Sequence, residues 1–87
     1  MKHADPATLE LIGALLEEVH KRPLLREKSR GSFYLKSKAY LHFHEDPAGI
    51  FADVKLNLAE FTRMRVTTAQ EQRTLLAAID RSLTPLS

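Results

Sequence analysis

The strongest constraint on the fold is a pair of alternating runs on either side of Asp46-Pro47-Ala48-Gly49. Proline presets one backbone angle and glycine tolerates positive φ, so these four residues form a turn. If Glu45 opposes Ile50 across it, His44 faces Phe51, Phe43 faces Ala52, His42 faces Asp53, Leu41 faces Val54 and Tyr40 faces Lys55. Side chains alternate faces along a strand. One face then holds Ala39, Leu41, Phe43, Ile50, Ala52, Val54 and Leu56, and the other Tyr40, His42, His44, Phe51, Asp53 and Lys55. A slip of one residue would exchange the two sets, so the pattern specifies its own register.

The flanks supply the rest. Leu9, Ile12, Leu16 and Val19 recur at helical spacing behind the N-cap candidate Asp5 and Pro6, predicting a helix over about 5–22 that Pro23 ends. Leu24 to Gly31 reads as a basic connection. Phe33-Tyr34-Leu35 and the run from Ala39 are strand-like, as one bent strand or two. Phe61 to Val66 is a further strand candidate. Thr68 with Glu71, or Thr67 with Gln70, fits a capping box opening a helix over about 68–83, with Leu75, Leu76, Ile79 and Leu83 as its stripe. The expectation is one α+β domain over 1–87. It is a two-layer sandwich of helix, three or four antiparallel strands in a meander over about 32–66, and helix, with both helices on one sheet face.

Composition narrows the functional classes. With 87 residues the chain buries only about 60% of its unfolded surface, so self-association is an attractive way to bury more. It has no cysteine, which excludes disulfides, thiolate metal sites and a thiol nucleophile. No apolar run approaches the roughly 20 residues needed to span a bilayer. The first residues lack the apolar core of a signal peptide, so a cytoplasmic setting is expected by elimination. Neither a phosphate-loop glycine pattern nor a nucleophile elbow is present, and no catalytic residue or cofactor is assigned.

Two constellations carry possible chemistry. Net charge is +2, but positions 21–38 hold seven bases against Glu27 alone. Lys28, Arg30, Lys36 and Lys38, with Lys55, Arg63 and Arg65 on the polar sheet face among Tyr34, Tyr40, Phe51 and Phe61, suit a nucleic acid or other polyanion. His42-Phe43-His44 puts two imidazoles on one strand face with Asp53 across from His42, a set suited to a zinc-like ion or to general-base chemistry. The ordinary reading of each is a solvated basic surface and a cross-strand His–Asp pair.

The segment Phe33-Tyr34-Leu35-Lys36-Ser37-Lys38-Ala39-Tyr40-Leu41 resembles the strand, lysine turn and strand of YjbR/MmcQ-like small bacterial proteins, with Ser37 where that family usually has glycine. The layout from Phe61 into the helix with Gln72, Leu75 and Leu76 is similar, over positions 30–83. The resemblance implies an α/β double-wing fold and DNA binding. Together these features predict a non-enzymatic interaction module, homo-oligomeric and in contact with nucleic acid or an acidic partner. The alternative is a small metal-binding or histidine-dependent enzyme using His42, His44 and Asp53.

Overall fold

The computed structural model describes residues 2–86; Met1 and Ser87, part of the single-domain expectation, lie outside them. The elements are β1 (Lys2–His3), α1 (Pro6–Leu11), α2 (Gly13–His20), β2 (Leu25–Ser29), β3 (Ser32–Leu35), β4 (Lys38–Asp46), β5 (Gly49–Val54), β6 (Thr62–Arg65) and α3 (Ala69–Leu83), closed by a 3-10 turn at Thr84–Leu86. The sheet is antiparallel, β2 through β6 in sequence order. β1 continues the β3 edge by pairing with the far half of β4. The α+β sandwich with its helices on one face is therefore present, with a meander of five strands rather than three or four.

The central hairpin has the register its sequence predicts, from Leu41↔Val54 through His42↔Asp53 and His44↔Phe51 to Asp46↔Gly49. Asp46 Oδ1 accepts the Ala48 N–H at 2.7 Å and tightens the turn. Gly49 is required there, because its φ is +135° and a Cβ would collide with Thr67 Oγ1.

One prediction fails within β4. Tyr40 does not face solvent with the histidines; it is 1% exposed in the core. Tyr34 pairs with Ala39 and Phe33 with Leu41, so Tyr40 is an inserted bulge residue. Two consecutive residues, Tyr40 and Leu41, then turn inward, and Ala39 pairs with outward-facing Tyr34. The Lys55 N–H still donates to the Tyr40 carbonyl at 2.9 Å, so the backbone pairing survives while the side chain changes face.

The first helix also differs. It is broken at Ile12, whose backbone (φ −109°, ψ 23°) leaves the helical region. A β-branched residue followed by Gly13 is the weakest helix-forming pair in the segment. Asp5 caps α1 by accepting the Thr8 N–H at 2.9 Å. The expected basic connection is largely strand β2, an edge strand whose Leu25 turns inward and whose Arg26 and Lys28 turn outward. Its charges masked the alternation. Glu27 accepts the Gly31 N–H at 2.7 Å and also meets His20, closing the β2–β3 turn. Residues 31–41 hold two strands, joined at Lys36-Ser37, both at positive φ.

Leu15, Leu16 and Val19 of α2 and Leu75, Ile79 and Leu83 of α3 pack on Phe33, Leu41, Phe43, Ala52 and Val54 in one core. The Thr68–Glu71 capping box forms in full. Thr67 does not cap with Gln70; its Oγ1 accepts the Ile50 N–H at 2.9 Å. Removing the buried Leu75 side chain with Leu75→Ala is expected to cost about 2–5 kcal/mol. Thr68→Ala is expected to cost about 1 kcal/mol. Urea unfolding midpoints read both.

Candidate functional site

With the helices on one face, the other sheet face is open and carries the histidines. β4 presents His42 and His44 two residues apart, and β1 brings His3 beside His44 as its ladder partner. Ring centroids are 4.8 Å apart for His3–His44 and for His42–His44, and 5.9 Å for His3–His42. Among the described residues this trio is a group whose ligand nitrogens all lie within 4.8 Å of one another. His3 is exposed, His42 half-buried and His44 9% exposed.

Asp53 belongs to the same constellation, but not as its register suggests. It opposes His42 along the backbone, yet its Oδ2 lies 2.9 Å from His44 Nε2. The approach is electrostatic rather than a well-aligned hydrogen bond, and both ring nitrogens of His44 are buried without a hydrogen-bond partner, as is His42 Nδ1. Buried polar atoms normally find partners. Three imidazole nitrogens without one, on two adjacent rings, distinguish this site from an ordinary cross-strand His–Asp pair.

Arg63 fixes the carboxylate. Its Nε donates to Asp53 Oδ1 and its Nη2 to Oδ2, each at 2.8 Å, in a bidentate fork. That fork, with the positive field of Arg63, holds the Asp53 carboxyl below its usual pKa. Burial, then the neighbouring His44, pushes His42 below its usual pKa, against the opposing pull of Asp53. His42 therefore stays neutral at pH 7 with a lone pair free to bind. Phe61 stands edge-on to His42 at 4.8 Å and walls the site from the β5–β6 loop.

The bases expected to bind anions are dispersed. Arg63 is committed to Asp53, and Arg65 to Glu71, at 3.0 Å, and to the Ala48 carbonyl, at 3.1 Å. Lys28 lies over the Tyr34 ring at 4.6 Å, and Arg30 extends toward Gly13. Lys36, Lys38 and Lys55 line a separate pocket beyond the β3–β4 turn, with Lys55 Nζ over the Phe61 ring at 4.9 Å.

His3 is the site residue sequence reasoning missed. Its pairing spans some forty residues, and a two-residue strand has no periodicity to detect. Comparison with known protein families, curated proteins and solved structures finds no match. No helix among the described residues is long and apolar enough to cross a membrane.

Because the folded state holds His42 neutral, the unfolded chain takes up its proton first on acidification. Stability attached to His42 is present above its ordinary pKa near 6.5 and declines as pH falls below that value. Denaturant midpoints between pH 7.5 and 5.5 are expected to drop for the wild type and to drop less for His42→Gln.

Proposed function

We propose that the protein binds a divalent transition-metal ion, of the zinc type, through His3, His42 and His44. The observation that carries this reading is the convergence of three imidazoles, two of which, His42 and His44, have buried nitrogens that make no hydrogen bond. Neutral nitrogen ligands favour zinc, copper or nickel over magnesium or calcium, which prefer oxygen. Three protein ligands leave a fourth tetrahedral position for water or a small ligand.

Zinc–nitrogen bonds of about 2.0–2.1 Å put tetrahedral ligands about 3.4 Å apart. The widest nitrogen separation, 4.8 Å, must therefore close by about 1.4 Å. Rotation of the exposed His3 ring on the short β1 strand supplies such a shift. Asp53 would then serve as the carboxylate behind His44, turning one ring nitrogen toward itself and the other toward the metal. The Arg63 fork keeps that carboxylate in place and charged.

Zinc or cobalt(II) titration of untagged protein, followed by calorimetry and by cobalt absorption, tests the reading. One equivalent is expected to bind, with affinity falling on acidification as protons compete for the imidazoles. His3→Ala and His42→Ala should each abolish the tetrahedral cobalt spectrum while the fold persists. Asp53→Asn should weaken binding about 10–100-fold. Stoichiometric binding unchanged in the histidine variants, or none in the wild type, would defeat the proposal.

A further inference from the structure

We propose that a second site, independent of the histidine cluster, binds a small amphipathic carboxylate: one apolar ring or short chain with a single anionic head. The site is the pocket between the β3–β4 turn, the segment after β5 and the C-terminal 3-10 turn. It measures about 230 Å³, and Leu35, Ala39, Tyr40, Leu58 and Leu86 form its apolar wall. A dry cavity of about 150 Å³ is known to take benzene. This pocket therefore has room for one ring and a carboxylate.

Charge selects the head group. Lys36, Lys38 and Lys55 line the same pocket, and no acidic residue does. Lys55 Nζ lies over the Phe61 ring at 4.9 Å, so Lys36 and Lys38 supply the rim charge, and an apolar body beside them matches a carboxylate better than a neutral or cationic ligand.

The backbone singles out the same place. Among the described residues, the non-glycine positive φ values are at Lys36 (50°), Ser37 (71°) and Leu58 (64°). Lys36 and Leu58 line the pocket, and Ser37 links Lys36 to Lys38. At Lys36 and Ser37 both positive φ values are those of the two-residue turn joining β3 to β4, while Leu58 holds left-handed backbone outside any hairpin turn, at a cost of about 1 kcal/mol or more. The two-residue turn aims Lys36 and Lys38 from one hairpin end, and the turn in which the Leu58 N–H donates to the Lys55 carbonyl at 2.9 Å presents Leu58 opposite. Leu58 is 49% exposed, a large apolar side chain held in a strained conformation with no core to fill. Asn57 Oδ1 pins that turn by accepting the Ala59 and Glu60 N–H groups at 2.9 Å.

The Tyr40 hydroxyl is buried and makes no hydrogen bond of ordinary geometry, with Ser82 its polar neighbour. Burial raises its pKa, so at neutral pH it keeps its proton.

The test is titration of isotope-labelled protein, freed of metal on a chelating resin, with benzoate, hexanoate and the neutral control benzyl alcohol. Saturable amide shifts are expected at Leu35, Ala39, Leu58 and Leu86 with a Kd of about 1 mM or tighter for the two anions. Benzyl alcohol should bind about tenfold more weakly, and Lys36→Gln with Lys38→Gln should erase that preference. Leu58→Gln, at an exposed position, should weaken both anions without altering the unfolding midpoint. Absent shifts at concentrations about twentyfold above that Kd would overturn the proposal, as would equal binding of benzyl alcohol. So would shifts confined to the histidine face, or concentration-dependent dimerisation through these same amides.

Discussion

The β4–β5 register is the constraint on which everything else rests. Six ladder pairs from Leu41↔Val54 to Asp46↔Gly49 place Leu41, Phe43, Ala52 and Val54 under the helices. The same pairs place His42, His44 and Asp53 on the opposite face. A slip by one position would bury imidazoles and a carboxylate under Leu75 and Ile79, and would put Phe43 in water. Both the core and the candidate metal centre therefore follow from one alignment. It is locked at one end by Gly49 and the Asp46 turn, and through Ile50 by Thr67, whose Oγ1 takes the Ile50 N–H. The cap of α3 begins at the next residue, so the second helix is anchored to the hairpin that supports it.

The bulge at Tyr40 changes which face of the sheet that residue serves. In a regular ladder running on from Phe33↔Leu41, Tyr40 would oppose Tyr34 on the outward face. With the bulge, Phe33 pairs with Leu41 and Tyr34 with Ala39, and a large aromatic side chain is added to a thin core. The outward face gains too. Tyr34 and His42 share it, and Arg26 pairs with Tyr34 one strand further out. The same insertion brings Tyr40 to the wall of the lysine-rimmed pocket.

What was legible in the sequence was local and periodic. The central hairpin register, the Asp5 cap, the Thr68–Glu71 box and the layer order all depend on neighbouring residues or on regular repeats. Departures came where a rule of period met an exception. Ile12-Gly13 breaks a helical stripe that is otherwise continuous. Tyr40 interrupts a two-residue repeat, and a bulge leaves no mark in composition. Charged Arg26, Glu27 and Lys28 hid an edge strand, since edges tolerate charges that central strands do not. In the histidine cluster, His42, His44 and Asp53 were visible through alternation. His3 was not, because only tertiary pairing brings it near, and Asp53 reaches diagonally to His44 rather than straight across. Arg63 and Arg65 looked like free bases, but the fold pairs each with a carboxylate.

Strand β1 has a consequence for how tightly any guest could be held on the histidine face. It contributes one of three imidazoles from a two-residue ladder, the shortest attachment in the sheet. Short ladders open more readily than long ones. A guest that needs all three rings meets a competent surface only during the fraction of time this strand is docked, so its apparent affinity is scaled by that fraction. By reciprocity, occupancy would staple residues 2–3 to the sheet, and whatever frees them would release the guest. The shortest ladder in the sheet is thus also the place where holding and letting go would be decided.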